Sequence, residues 1–274
     1  MDNLQSAWYL ADMRISVIVL THNRAHLLRQ CVERVLLRTS DHTGEILMWD
    51  NASTDETAGY LDSLDDPRIR VVHHEQNIGQ NAYAEAFALA GGEYFVELDD
   101  DVIDAPERWD ATLLDAFERI PDLGFLAADL VDNPHDQAAH VRYHVRPDEY
   151  TPLELNGVRL LAGPTGGGCA MTSRSVYEHV GGFRKQKRGG FWLEDAAYIE
   201  DIERLGYRKA ILADLKVFHA GGPYYAKPTP ERDAYWARVE KMQRRKSAAK
   251  RLLLLVPGVR SLNRRHSWFT EPAS

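Results

Sequence analysis

Glu93-Tyr-Phe-Val-Glu-Leu-Asp-Asp-Asp101 is an apolar run that ends in three consecutive carboxylates. Its first six residues have the length and make-up of a buried strand. In open α/β sheets, ligands bind outside the carboxyl ends of the strands. A strand ending in clustered Asp therefore delivers several oxygen ligands to one point, and hard divalent cations take oxygen ligands. The triplet alone also reads as an acidic turn, because Asp104-Ala-Pro106 resembles a helix start.

Upstream the pattern is regular. Ile15-Ser-Val-Ile-Val-Leu20 reads as a buried strand, and Ala25 to Arg38 as an amphipathic helix with Leu27, Leu28, Cys31, Val32, Val35 and Leu36 on one face. Glu45 to Trp49 is the next strand. Thr54 or Asp55 caps a helix to about Leu64, Arg68 to Val72 is a third strand, and Gly79 to Ala90 is an alanine-rich helix. This β-α-β-α-β-α-β order predicts a parallel sheet with right-handed crossovers. It places Thr21, Asp50 and Asp99 at carboxyl strand ends facing one crevice.

Downstream the pattern loosens. A helix is expected from Pro106 to about Ile120, a strand over Gly124 to Val131, a short strand after Gly166-Gly-Gly168, and helices over Ser173 to Val180 and Glu194 to Leu205. Lys209 to Leu212 and Lys216 to Phe218 read as two strands, and Glu231 to Val256 as a last helix. Residues 132–165, polar and punctuated by Pro134, Pro147, Pro152 and Pro164, give no clear order.

The chain has 274 residues, 44% of them hydrophobic and 27% charged, which fits one large α/β domain or two small ones. Two cysteines, Cys31 and Cys169, point to neither a disulfide framework nor a zinc site. The N-terminus lacks the build of a signal peptide, and no run approaches the roughly 18 apolar residues that span a bilayer. A cytoplasmic setting is the default expectation. Net charge is −8, yet residues 241–265 hold nine Lys and Arg and no acid. Such asymmetry suggests that this tail meets something anionic.

Several motifs recur in a specific order: Ser16-Val-Ile-Val-Leu-Thr-His-Asn-Arg24, Asp50-Asn-Ala-Ser-Thr-Asp55, Asn77-Ile-Gly79, Leu98-Asp-Asp-Asp101, Gly167-Gly168, Gly181-Gly-Phe183, Glu194-Asp195, Gly206-Tyr207 and His219. Together they resemble glycosyltransferase family 2, over roughly residues 14 to 222. The resemblance implies a GT-A fold, with a mostly parallel central sheet flanked by helices. It also implies metal-dependent, inverting transfer of a sugar from a nucleotide sugar, a UDP-sugar favoured, to an acceptor hydroxyl. The contrasting reading is a nucleotide-sugar-binding or scaffold protein of the same fold that has lost transfer. A dinucleotide-binding dehydrogenase is disfavoured, because Thr21-His-Asn-Arg24 is not a glycine-rich turn.

By resemblance, Asp50 reads the base. Its carboxylate accepts from the N3–H of uracil or thymine, or from the N1–H and N2–H of guanine. Thr21, Asn23, Arg24, Asn51 and Asn77 line the nucleotide pocket, with Arg24 read equally as a surface charge. Asp99 and Asp101 form the metal signature, with Asp99 also facing the ribose and Asp100 the donor sugar. His219 completes the metal set, and an imidazole among oxygens favours Mn²⁺ over Mg²⁺. Asp195 is the catalytic base, with a helix N-terminal partner as its bland alternative, and Glu194 orients the acceptor. Phe191 and Trp192 are a sugar-ring wall or core.

Three features depart from the family pattern. Ala197 stands where a second acid is usual, Ala84, Glu85 and Phe87 replace the residues that commonly follow the Asn-x-Gly segment, and Arg184-Lys-Gln-Lys-Arg188 replaces an Asp after Gly-Gly-Phe. The basic loop reads as a flap closing on phosphate or as a solvated surface loop. The expected layout is a catalytic domain over 1–230, with a nucleotide half at about 14–104 and an acceptor half at about 105–230. A basic helix and tail follow over 231–274. Expected partners are the donor and an acceptor whose identity the sequence leaves open, a phosphorylated or lipid-linked one among the candidates. The tail packs on protein or touches an anionic membrane peripherally. Nucleic acid is not an expected partner.

Overall fold

The computed structural model describes residues 14–132, 147–184 and 194–220. The expected order of the first half is present: β1 (Ile15–Thr21), α1 (Ala25–Arg34), β2 (Thr43–Asp50), α2 (Thr57–Asp62), β3 (Ile69–His73), α3 (Asn81–Leu89) and β4 (Tyr94–Asp99). Then come β5 (Val102–Asp104), α4 (Trp109–Arg119), β6 (Leu123–Asp132), β7 (Thr151–Leu155), β8 (Val158–Ala162), β9 (Cys169–Ser173), α5 (Arg174–Val180), α6 (Glu194–Arg204) and β10 (Arg208–His219). One sheet orders them β3-β2-β1-β4-β9-β6-β10-β8-β7, and β5 pairs with β10.

β1, β2, β3 and β4 are mutually parallel. Thr21 pairs with Asp50, and Leu20 with Asp99, so the three strand ends share one edge as the alternation requires. β1, β2 and β4 are largely apolar on both faces because both faces are covered, while edge strand β3 exposes Arg70 and His73. Val17, Val19, Val96 and Leu98 pack with Leu28 of α1 and Trp109 and Leu113 of α4. Ile18, Leu47 and Phe95 pack with Ala82 and Phe87 of α3 and Tyr198 of α6 on the other side. Beyond β4 the sheet is mixed: β9 runs antiparallel to β4 and β6, while β6 and β10 are parallel.

Four local expectations change. The helix expected from Pro106 begins at Trp109, because residues 102–104 are strand. Arg108 adopts φ 58°, and its N–H docks on Arg38 O at 2.8 Å before the chain turns into α4. The first helix ends at Arg34 and tightens into a 3₁₀ turn over Leu36–Arg38. There Trp109 Nε1 donates to Val35 O at 3.0 Å, and Arg38 Nη1 to Ala105 O at 2.6 Å. The two strands expected at 209–212 and 216–218 are one bulged strand, whose register against β6 shifts between Leu212 and Lys216. Within 132–165, a stretch with no clear expected order, residues 151–162 form the β7–β8 hairpin, with Asn156 and Gly157 at positive φ in its two-residue turn. The helix expected over 231–256 lies outside the described residues. Among the described residues no helix is long and apolar enough to cross a membrane.

A polar knot ties α4 to the segment before β2. Asp110 is fully buried and accepts from Ser40 N–H at 2.8 Å, Ser40 Oγ at 2.7 Å and Thr43 Oγ1 at 2.7 Å. Asp110→Asn turns one acceptor oxygen into a donor against these donors. A loss of about 2 kcal/mol is expected in urea unfolding. An unchanged midpoint would contradict this account.

Candidate active site

The acidic triplet splits by direction. Asp101 is fully buried, with Oδ1 3.0 Å from His219 Nε2 and Oδ2 3.5 Å from Arg24 Nη1. Asp99 is more exposed; its Oδ2 lies 3.5 Å from the same Nε2, and its Oδ1 accepts from Tyr83 OH at 3.3 Å. Ligand atoms from Asp99, Asp101 and His219 all fall within 4.8 Å of one another. Two carboxylates and an imidazole at that spacing suit a divalent ion, so the donor set fits. Asp100 turns away, accepting from Thr21 Oγ1 and Arg24 Nη1, each at 2.7 Å.

The charges follow from burial and pairing. Burial pushes Asp100 up to about 6, with Asp101 adding to it, and Arg24 only partly offsets this. Burial acts on Asp101 too, but there the His219 imidazole and then Arg24 prevail and hold it below the usual carboxylate range. Arg24 is therefore an internal counter-ion of the triplet, and the surface-charge alternative does not hold.

The missed strand β5 explains why His219 arrives here. Having left the triplet, the chain pairs antiparallel with β10, setting His219 opposite Val102. Ala220 N–H then donates to Asp101 O at 2.7 Å. Two residues far apart in sequence are thus fixed to each other by backbone.

Two adjacent glycines link the metal-type cluster to the candidate base. Gly168 O accepts from Asp99 N–H at 2.8 Å, and Gly167 N–H donates to Asp195 Oδ2 at 2.7 Å. Gly168 has φ +94°, and a Cβ there would come 3.1 Å from Leu130 Cδ1. Asp195 opens α6 as expected. Burial pushes its carboxyl up to about 6, with the Gly167 amide opposing and the Asp99 charge adding. Such a group is a stronger base than an ordinary carboxylate and is still largely ionised at neutral pH.

On the nucleotide side, Asp50 Oδ1 accepts from Ser53 N–H and Oδ2 meets His73 Nδ1, both at 2.9 Å. Asn23 takes φ 54°; its Oδ1 accepts from Thr54 N–H at 2.7 Å and Asp55 N–H at 3.2 Å. Buried Asn51 donates to Asn77 Oδ1 at 2.9 Å and accepts from Ile78 N–H at 3.0 Å. Asn23 and Asn51 therefore brace the loops around Asp50, and Asn77 is tied in with them. His73 also meets Asp62 Oδ1 at 3.0 Å, and its hydrogen bonds to Asp50 and then Asp62 raise it above 6.5.

That shift has a sign. A raised folded value means that the stabilisation is full below the unfolded value of about 6.5 and fades as pH rises through the folded one. The Tm difference between the wild type and His73→Gln is expected to be largest below pH ~6 and to narrow in alkali. A difference independent of pH would refute the bridge.

The family model for glycosyl transferase family 2 matches residues 16–181. The chain belongs to glycosyl transferase family 2. The Escherichia coli (strain K12) protein WcaA, a glycosyl transferase assigned to colanic acid biosynthesis, is 35% identical over 97 residues. That match covers 34% of either chain, so this chain spans about a third of the curated relative it matches. The mannosyltransferase PcManGT from Pyrobaculum calidifontis, solved with GDP-Man and Mn²⁺, superposes with TM-score 0.56 at 22% identity, over 79% of this chain and 64% of that one. TarS (1–349) of S. aureus gives 0.57 at 18%, over 76% and 60%. GalNAc-T7, solved with UDP, GalNAc and Mn²⁺, gives 0.58 at 16%, over 77% and 44%. These similarities identify the sheet as the GT-A fold.

Within this family 2 chain the structure also assembles residues that the motifs did not single out as site residues: Tyr83 on Asp99, His73 on Asp50, and Glu97 beside Asp195. Only Glu97 left a signal, as a charge inside an apolar strand. Arg184 of the basic loop is ion-paired with Asp201. The rest of that loop, Phe191, Trp192, the Glu194 side chain and the tail 241–265 lie outside the described residues.

Proposed function

We propose that the chain is a metal-dependent, inverting glycosyltransferase. It moves a sugar from a nucleoside-diphosphate sugar, a UDP-sugar favoured, to an acceptor hydroxyl. The observation that carries this is the convergence of Asp99, Asp101 and His219 at the sheet's carboxyl edge, one glycine pair away from Asp195. Asp99, Asp101 and His219 would hold the ion, Mn²⁺ favoured. When bound, a divalent cation offsets the negative charge that gathers on a departing diphosphate.

The chain's own residues do the rest. Asp50 accepts from the base, and the Asn23 and Asn51 braces fix its loops. Asp195 accepts the proton of the acceptor hydroxyl as that oxygen attacks the anomeric carbon from the face opposite the diphosphate. Thr21 and Arg24 keep Asp100 in place. The catalytic unit ends near residue 230, and the basic stretch 241–265 packs on protein or touches an anionic membrane.

The test is release of nucleoside diphosphate from UDP-, GDP- and dTDP-hexoses with Mn²⁺, Mg²⁺ or chelator, without added acceptor. Slow, chelator-sensitive hydrolysis of one donor is expected. Binding of no donor, with or without metal, would favour instead the non-catalytic form of the fold that Ala197 and the altered 84–87 region bring to mind.

A further inference from the structure

Glu97 is 3% exposed and lies in the middle of β4, between Val96 and Leu98. Alternation along the strand puts it on the same face as Phe95 and Asp99. That face belongs to a cluster with Phe95, Ala170 and Tyr198, where an apolar side chain would pack readily. A carboxyl is costly there unless it is bonded.

Three elements meet at this point. A Cβ placed on Gly167 would lie 2.5 Å from Glu97 Oε1 and 2.7 Å from Asp195 Oδ2. Both carboxyls therefore close on one glycine, which leaves no room for a side chain. The Glu97 carboxyl thus stands against that of Asp195, and a hydrogen bond between the two needs a proton on Glu97; Gly167 N–H donates to Asp195 Oδ2 at 2.7 Å. Asp195 Oδ1 is buried and has no hydrogen-bond partner among the described residues. Asp195 Oδ2 is thus held by the turn, in the place where the strand residue Glu97 also closes in, while the other oxygen is left over.

We propose that Glu97 is a positioning residue. With the Gly167 amide it fixes the rotamer of Asp195, so that Oδ1 faces the acceptor hydroxyl. This rests on the reading of Asp195 as the base. The strand that ends in the metal-type carboxylates then also sets the base, through one residue two positions earlier. Positioning of this kind acts on turnover rather than on donor affinity, because a general base acts on the acceptor's proton in the transition state. A displacement of about 1 Å in such a group costs on the order of 100-fold in rate.

The experiment compares Glu97→Gln, Glu97→Leu and Gly167→Ala with Asp195→Asn, using the donor that hydrolyses in the panel above. Glu97→Leu and Gly167→Ala are expected to lower kcat by roughly 10- to 100-fold. Donor KM and Mn²⁺ dependence should stay within about twofold, which also reports an intact nucleotide half. Glu97→Gln supplies an N–H donor to the Asp195 carboxylate and should retain kcat within about threefold. Crystal structures of the two Glu97 variants should show Asp195 Oδ2 on the Gly167 amide in the Gln form and displaced in the Leu form. If Asp195→Asn is inactive while Glu97→Leu turns over at the wild-type rate, the positioning role is overturned and the base assignment survives. If Asp195→Asn is fully active, the base assignment fails first. Equal losses in the Gln and Leu forms, with Asp195 unmoved in both, would also overturn the proposal.

Discussion

Asp195→Asn is expected to lower turnover by about 1000-fold while leaving Mn²⁺-dependent nucleotide binding within about twofold of wild type. The substitution conserves shape. The remaining amide oxygen can still accept from Gly167 N–H, which now holds Asp195 Oδ2 at 2.7 Å. The amide nitrogen then faces the acceptor with donors only, so the proton of the attacking hydroxyl has nowhere to go. Because burial places the carboxyl at about 6, the wild-type rate should fall as pH drops through that value, and this limb should be absent from any residual activity of the variant. Titration of nucleotide with Mn²⁺ separates the two effects. Full turnover by the variant would remove Asp195 from the chemistry.

Asp101→Asn should act on the other half of the reaction. We expect the Mn²⁺-dependent part of nucleotide affinity to fall about 100-fold, or nearly 3 kcal/mol. The side chain is fully buried between the His219 imidazole, with Nε2 at 3.0 Å, and the Arg24 guanidinium, with Nη1 at 3.5 Å. Removing its charge weakens the buried charge balance with Arg24, whose closer pair with Asp100 remains, and takes one hard oxygen ligand from the cluster. A fall in Tm should accompany the loss of metal response. Calorimetric titration of Mn²⁺ in the presence of UDP checks it, and unchanged metal dependence would count against this ligand set.

Much of this was legible beforehand, for identifiable reasons. Runs such as Ile15–Leu20 and Glu93–Leu98 are buried on both faces, so their apolar character is continuous and marks them without tertiary knowledge. A parallel βαβ series then brings Thr21, Asp50 and Asp99 to one edge whatever the loops do. The reach of β5 was hidden because it is three residues long and its pairing partner lies more than 100 residues away. The β7–β8 hairpin was hidden because exposed Thr151, Pro152 and Glu154 give β7 no clean alternation, despite the Asn156-Gly157 turn signal.

The sequence by itself determined the succession of the first four strands and their parallel sense, the carboxyl-edge location of the acids and the family of the chain. Those follow from local periodicity and from motifs whose members are near neighbours. Only the tertiary structure decided that Asp100 belongs to Arg24 and Thr21 while Asp101 belongs to His219, since consecutive residues leave a strand end in different directions. It alone showed Gly167 wedged between Glu97 and Asp195. Hydrogen bonds among a strand, a turn and a distant helix carry no sequence spacing, because the chain between them only has to reach.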